Sequence, residues 1–153
     1  MPGQLPDGVP APVDGALPSS ALVQVGTRPF GVYVHVPFCA SRCGYCDFNT
    51  YTPGELGSST SQETYVSAVL DELRLAARVL SDSPPPAVDT VFFGGGTPTL
   101  LPVVDLARIL AAIDQLWGLA ADAEVTTEAN PESVDTASLA ALRAAGFTRI
   151  SLG

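Results

Sequence analysis

Tyr33-Val34-His35-Val36-Pro37-Phe38-Cys39-Ala40-Ser41-Arg42-Cys43-Gly44-Tyr45-Cys46-Asp47-Phe48 runs from a β-strand pattern straight into three cysteines. Phe30 to Val36 is rich in β-branched and aromatic residues and reads as a strand. The loop after it is polar, contains glycine, and holds every cysteine of the chain, spaced Cys-x3-Cys-x2-Cys at Cys39, Cys43 and Cys46. Three thiolates so close together can hold three irons of a cubane cluster and leave the fourth iron open, whereas an ordinary four-iron cluster takes four thiolates. An unfilled coordination position is where a metal site performs chemistry instead of only holding a fold together.

Two other uses of the cysteines stand beside this one. A disulfide would leave an odd thiol, and small disulfide scaffolds carry a denser, even set. Zinc could be held by the three cysteines plus His35, the single histidine. Against zinc, His35 belongs to the strand pattern, and no second Cys-x2-4-Cys knuckle is present.

Outward from this loop, strand and helix patterns alternate. A Thr60-Ser61-Gln62-Glu63 capping box predicts a helix start, and Val66, Val69, Leu70, Leu73, Ala77 and Leu80 fall on one helical face before Pro84-Pro85-Pro86. Val88 to Phe93 predicts a second strand, followed by the loop Gly94-Gly95-Gly96-Thr97-Pro98-Thr99. Pro102 suits the first turn of a second helix, which buries Val103, Leu106, Leu110, Ile113 and Trp117 and stops at Gly118. Glu124 to Ala129 reads as a third strand closed by Asn130-Pro131, and Asp135 caps a third helix, with Val134 and Leu139 as a hydrophobic staple. Gly146 ends that helix, and Phe147 to Leu152 is a fourth strand.

The order β-α-β-α-β-α-β calls for an α/β fold with a parallel sheet and right-handed crossovers. In such sheets the ligand site lies at the C-terminal ends of the strands. The cysteine loop, the glycine loop and Glu128 all fall on that edge, although dozens of residues separate them. A complete eightfold barrel takes roughly 250 residues. The chain stops at Gly153, just after the fourth strand pattern, so it reads as the N-terminal part of a longer barrel.

Composition narrows the partners. Of 153 residues 46% are in the hydrophobic class, enough for one core. Sixteen acidic residues against seven arginines and no lysine give a net charge of −9, which argues against nucleic acid and against electrostatic docking on an anionic membrane. No stretch approaches the roughly twenty apolar residues of a membrane span. Residues 1–28 are rich in Pro, Gly and Ala, show no periodic apolar face, and read as a flexible leader without a secretory signal. Residues 29–153 are then the folded unit, and a reducing cytoplasm suits its thiols.

Cys-x3-Cys-x2-Cys directly after a first β-strand resembles the radical S-adenosylmethionine (SAM) enzymes. Tyr33-Val34-His35-Val36-Pro37-Phe38-Cys39, Cys46-Asp47-Phe48-Asn49, Gly94-Gly95-Gly96-Thr97-Pro98-Thr99, Glu128-Ala129-Asn130-Pro131 and Arg149-Ile150-Ser151-Leu152-Gly153 are similar to their coproporphyrinogen III oxidase-like branch. The resemblance covers about Arg28 to Gly153 and implies a partial (β/α) barrel with a [4Fe-4S] cluster and SAM. In that branch the oxidases carry a fourth cysteine two residues after the third, where this chain has Phe48. The pattern instead resembles the heme-chaperone (HemW) group. That resemblance implies heme as cargo, a recipient hemoprotein such as a respiratory one, and an electron donor for the cluster. The alternative is a true oxidase, decarboxylating coproporphyrinogen III in porphyrin biosynthesis.

By position the resemblance implies that Cys39, Cys43 and Cys46 bind the cluster. Tyr33 would line the SAM pocket and Tyr45 would lie over the cluster. Gly95, Gly96 and Thr97 would bring backbone groups to the methionine end of SAM, and Glu128 would accept from its ribose. His35 is assigned no catalytic role.

Overall fold

Four parallel strands form one sheet in chain order: β1 (Phe30–Val36), β2 (Val88–Gly95), β3 (Leu119–Ala129) and β4 (Arg149–Leu152). The structure is a computed structural model and describes residues 10, 12–41, 43–44, 46–52, 55 and 62–153. Its α-helices are α1 (Ser19–Leu22), α2 (Gln62–Val79), α3 (Val103–Trp117) and α4 (Thr136–Ala144). The last three occupy the three strand-to-strand connections, since parallel neighbours cannot be joined by a tight hairpin.

One sheet face carries the apolar side chains. Val34, Val36, Val91, Phe93 and Val125 are buried there, packed with Val66 of α2, Leu106 and Ile113 of α3 and Leu142 of α4. Ile109, which the helical face read from the sequence leaves out, is fully buried as well. Its burial has a tertiary cause: α3 contacts α2, α4 and the sheet, so it buries a stripe wider than one partner would require.

Other boundaries shift for similar reasons. β3 starts at Leu119, five residues before the expected Glu124, because Leu119 pairs with Val88 of β2. The segment 119–123 is Leu-Ala-Ala-Asp-Ala, with no β-branched residue to announce a strand. β2 runs two residues past Phe93 through pairing of His35 with Gly94 and Val36 with Gly95. Short 3-10 turns follow β2 at Pro98–Leu100 and β3 at Pro131–Ser133. Asp135 caps α4 as expected, accepting from the Ser138 amide at 2.7 Å, while Leu139 of the expected staple stays 39% exposed. The expected capping box at Thr60–Glu63 lies outside the described residues. Within the expected leader, Gly15 lies against Leu75 and Val79 of α2.

The opposite sheet face carries mostly polar side chains around Phe92 and is arranged in rows. Tyr33, Phe92, Thr126 and Arg149 are level across the four strands. One step toward the C-terminal edge come His35 and Gly94, then Glu128 and Ser151. Residues two apart on a strand share a face, so both rows point the same way.

Candidate functional site

A cavity of about 250 Å³ opens at the C-terminal edge of the sheet, and Cys39, Cys43, Cys46 and Phe48 of the cysteine loop line it. Gly95, Gly96, Thr97, Glu128, Asn130 and Ser151 line the same cavity. Folding thus brings together seven of the nine site residues expected from the sequence. Tyr33 stands one row below on the same face, 56% exposed. Tyr45 lies outside the described residues.

The cysteine loop is a closed excursion from the end of β1. The Cys39 amide donates to the Tyr51 carbonyl at 3.0 Å, and the Tyr51 amide donates to the Pro37 carbonyl at 2.7 Å, so the loop leaves and returns at one point. Inside it the Cys46 amide donates to the Cys43 carbonyl at 3.1 Å. Cys46 Sγ lies 3.5 Å from the hydroxyl of Thr50, which is buried.

The glycine loop is stitched to the same strand end. The Gly96 amide donates to the Val36 carbonyl at 2.8 Å, and the Thr97 amide to the Phe38 carbonyl at 2.6 Å. A Cβ added at Gly96 would fall on the Phe38 carbonyl oxygen and 3.0 Å from Cys39 Sγ. Glycine is therefore required here by close approach of two backbones. At Gly95 the cause is different: φ is +111°, a region that L side chains avoid. The Gly95 amide donates to Glu128 Oε2 at 3.0 Å.

All three amides from Gly95 to Thr97 are thus spent inside the protein. The loop is no anion cradle, and the acceptors on the cavity wall include the carboxylate oxygens of Glu128. Such acceptors suit ammonium and hydroxyl donors. Sequence reasoning missed Asn130, whose side-chain amide donates to the Thr97 hydroxyl at 3.2 Å, and Ser133, whose hydroxyl pairs with Thr99 at 2.6 Å. Both lie in or beside the Glu128-Ala129-Asn130-Pro131 run, so their signal was proximity to a motif and not residue type.

His35 is not disposed as a zinc ligand. Its Nε2 lies 2.8 Å from the Asn49 carbonyl and its Nδ1 lies 2.9 Å from the Tyr33 hydroxyl. A carbonyl only accepts, so Nε2 carries the proton and Nδ1 accepts from the tyrosine, which leaves neither nitrogen for a metal. Burial, and then the nearby Glu128 carboxylate, raise the Tyr33 pKa, which keeps that hydroxyl a donor. Among the described residues no three His, Cys, Asp or Glu side chains converge on a point that a single ion could occupy. None of the three cysteines is in a disulfide. Three thiols lining one cavity are the donor type that an iron–sulfur cluster takes.

Parallel α/β topology with a three-cysteine loop after the first strand defines a class, and the comparisons agree. Residues 33–153 match the Radical SAM superfamily, and the chain belongs to it. It is 55% identical over 126 residues to the heme chaperone HemW of Mycobacterium tuberculosis (strain CDC 1551 / Oshkosh), covering 82% of this chain and 31% of that one. HemW of Escherichia coli (strain K12) is 36% identical over 125 residues, covering 82% and 32%. Among solved structures, coproporphyrinogen III oxidase from Escherichia coli, described as a radical SAM enzyme, superposes with a TM-score of 0.74 at 30% identity, covering 88% of this chain and 30% of that chain. The chain spans about a third of the length of the curated relatives it matches. No helix among the described residues is long and apolar enough to cross a membrane.

Proposed function

We propose that this protein acts as a HemW-like heme chaperone that binds a [4Fe-4S] cluster and SAM and delivers heme to a recipient hemoprotein in the cytoplasm. The observation that carries the reading is the shared cavity, which three thiols line together with Gly95–Thr97 and Glu128. In this reading Cys39, Cys43 and Cys46 hold the cluster and leave one iron for SAM. When bound, the pair supplies one-electron reductive cleavage of the SAM sulfonium, fed by an external electron donor. The backbone of the glycine loop and Glu128 orient SAM by its ammonium and hydroxyl groups, and the resemblance gives Tyr45 the place over the cluster. Tyr33, one row below on the same face, lines the SAM pocket.

Phe48 supports the chaperone over the oxidase. It is 69% exposed on the cavity wall, where the resemblance places a fourth cysteine in the oxidases. The deciding experiment is anaerobic reconstitution of the protein with iron and sulfide, followed by heme titration and an assay with coproporphyrinogen III. Acid-labile sulfide in near 1:1 ratio to iron, with heme bound and the porphyrinogen unchanged, is the expected result. Turnover of coproporphyrinogen III would overturn the chaperone reading, and zinc without sulfide in the anaerobically purified protein, before reconstitution, would overturn the cluster.

A further inference from the structure

We propose that His35 is a positioning residue that couples the cysteine loop to the glycine loop, so that the two sites are held in one geometry; this rests on the cluster and SAM reading above. The imidazole touches both loops at once. Its Nε2–H donates to the Asn49 carbonyl at 2.8 Å, on the returning limb of the cysteine loop. Asn49 immediately precedes Thr50, whose hydroxyl lies 3.5 Å from Cys46 Sγ. On its other side the ring covers Gly95: a Cβ there would meet His35 Cε1 at 2.6 Å and Nδ1 at 2.7 Å. Gly95 is thus held from both flanking strands, by the ring of His35 from β1 and by the carboxylate of Glu128 from β3.

The ring itself has little freedom. The Tyr33 hydroxyl bonds Nδ1 at 2.9 Å, and the two aromatic rings are 5.9 Å apart. Fixing the tautomer in this way commits the Nε2 proton to Asn49. Tyr33 therefore acts on the site through His35 although it does not line the thiol cavity.

His35→Gln and His35→Asn separate this role from general structural support. Both are polar, but only glutamine is long enough to place a donor near the Nε2 position. Hydrogen exchange of the peptide spanning residues 46–52, measured on the protein without iron, reads the loop directly. The expected result is exchange about tenfold faster in His35→Asn, the scale of one lost hydrogen bond, with His35→Gln close to the parent. After anaerobic reconstitution, the SAM-induced change in the electron paramagnetic resonance spectrum of the reduced cluster should persist in His35→Gln and weaken in His35→Asn. Equal exchange and equal SAM response in Asn and parent would overturn the coupling, as would a Gln variant as impaired as Asn. Should the parent take up no iron and sulfide, the cluster reading fails, while the exchange comparison still judges His35.

Discussion

Gly96→Ala tests the close approach of the two loops. An alanine normally stabilises a permissive glycine site by about 0.4–1 kcal/mol, because it restricts the unfolded chain. At Gly96 the added methyl would sit on the Phe38 carbonyl oxygen and 3.0 Å from Cys39 Sγ, and the first obstacle is backbone that cannot rotate away. Relief requires the loops to separate, which costs about 1–3 kcal/mol in overpacking strain. Separation also stretches the 2.6 Å bond from the Thr97 amide to Phe38, and Thr97 is only 4% exposed. Weakening that bond adds about 1 kcal/mol. The net expectation is destabilisation of about 2–3 kcal/mol after the unfolded-state gain is subtracted. Gly44→Ala is the control, since nothing lies within 4 Å of a Cβ there. The assay is urea unfolding followed by the single tryptophan, Trp117, whose ring meets Phe30 edge-on at 5.5 Å. With a slope of about 1–3 kcal/mol per molar, the midpoint should fall by roughly 1–2 M in Gly96→Ala and hold or rise in Gly44→Ala. Equal midpoints for the two variants would refute the steric argument.

Three further outcomes follow from the same geometry. Glu128→Leu leaves the Gly95 amide unpaired and should cost about 1–3 kcal/mol in the same unfolding assay, whereas Glu128→Gln keeps an acceptor and should cost less than half of that. Phe93→Ala removes a fully buried ring that packs 5.2 Å from Phe147, and should cost about 3–5 kcal/mol or prevent folding at 37 °C (roughly the working temperature of a mesophile). Asp135 has its pKa lowered by hydrogen bonds from Ser138, backbone first. Its stabilisation is therefore present above the ordinary Asp pKa and lost as pH falls through the lowered value, so Asp135→Ala should lower the melting temperature at neutral pH and lose that difference in acid.

The alternation of strands and helices was legible because each element carries its own period. Val34 and Val36 alternate on β1, and Val66, Val69 and Leu73 recur at helical spacing on α2. The three thiols were legible from spacing alone, within eight residues of one loop. Ile109 was not, because its burial comes from neighbours on more than one side of α3. The early start of β3 was hidden for a like reason, since Leu119 is a strand residue only because Val88 is beside it.

Local pattern was thus enough to establish a parallel α/β unit, a cysteine loop at the C-terminal edge of its first strand, and Gly95–Thr97 and Glu128 on that same edge. These features depend on residue type and short-range spacing, which the chain carries whatever its environment. The partners of the site depend on register and on strand order. His35 meets Asn49 across 14 residues and Glu128 meets Gly95 across 33, and neither separation has a period that composition could reveal. The same holds for the glycine loop: its amides point to Glu128, Val36 and Phe38 only once three strand ends are level. A hydrogen bond is satisfied over about 3 Å, so a one-residue slip of any strand would reassign every one of these pairs.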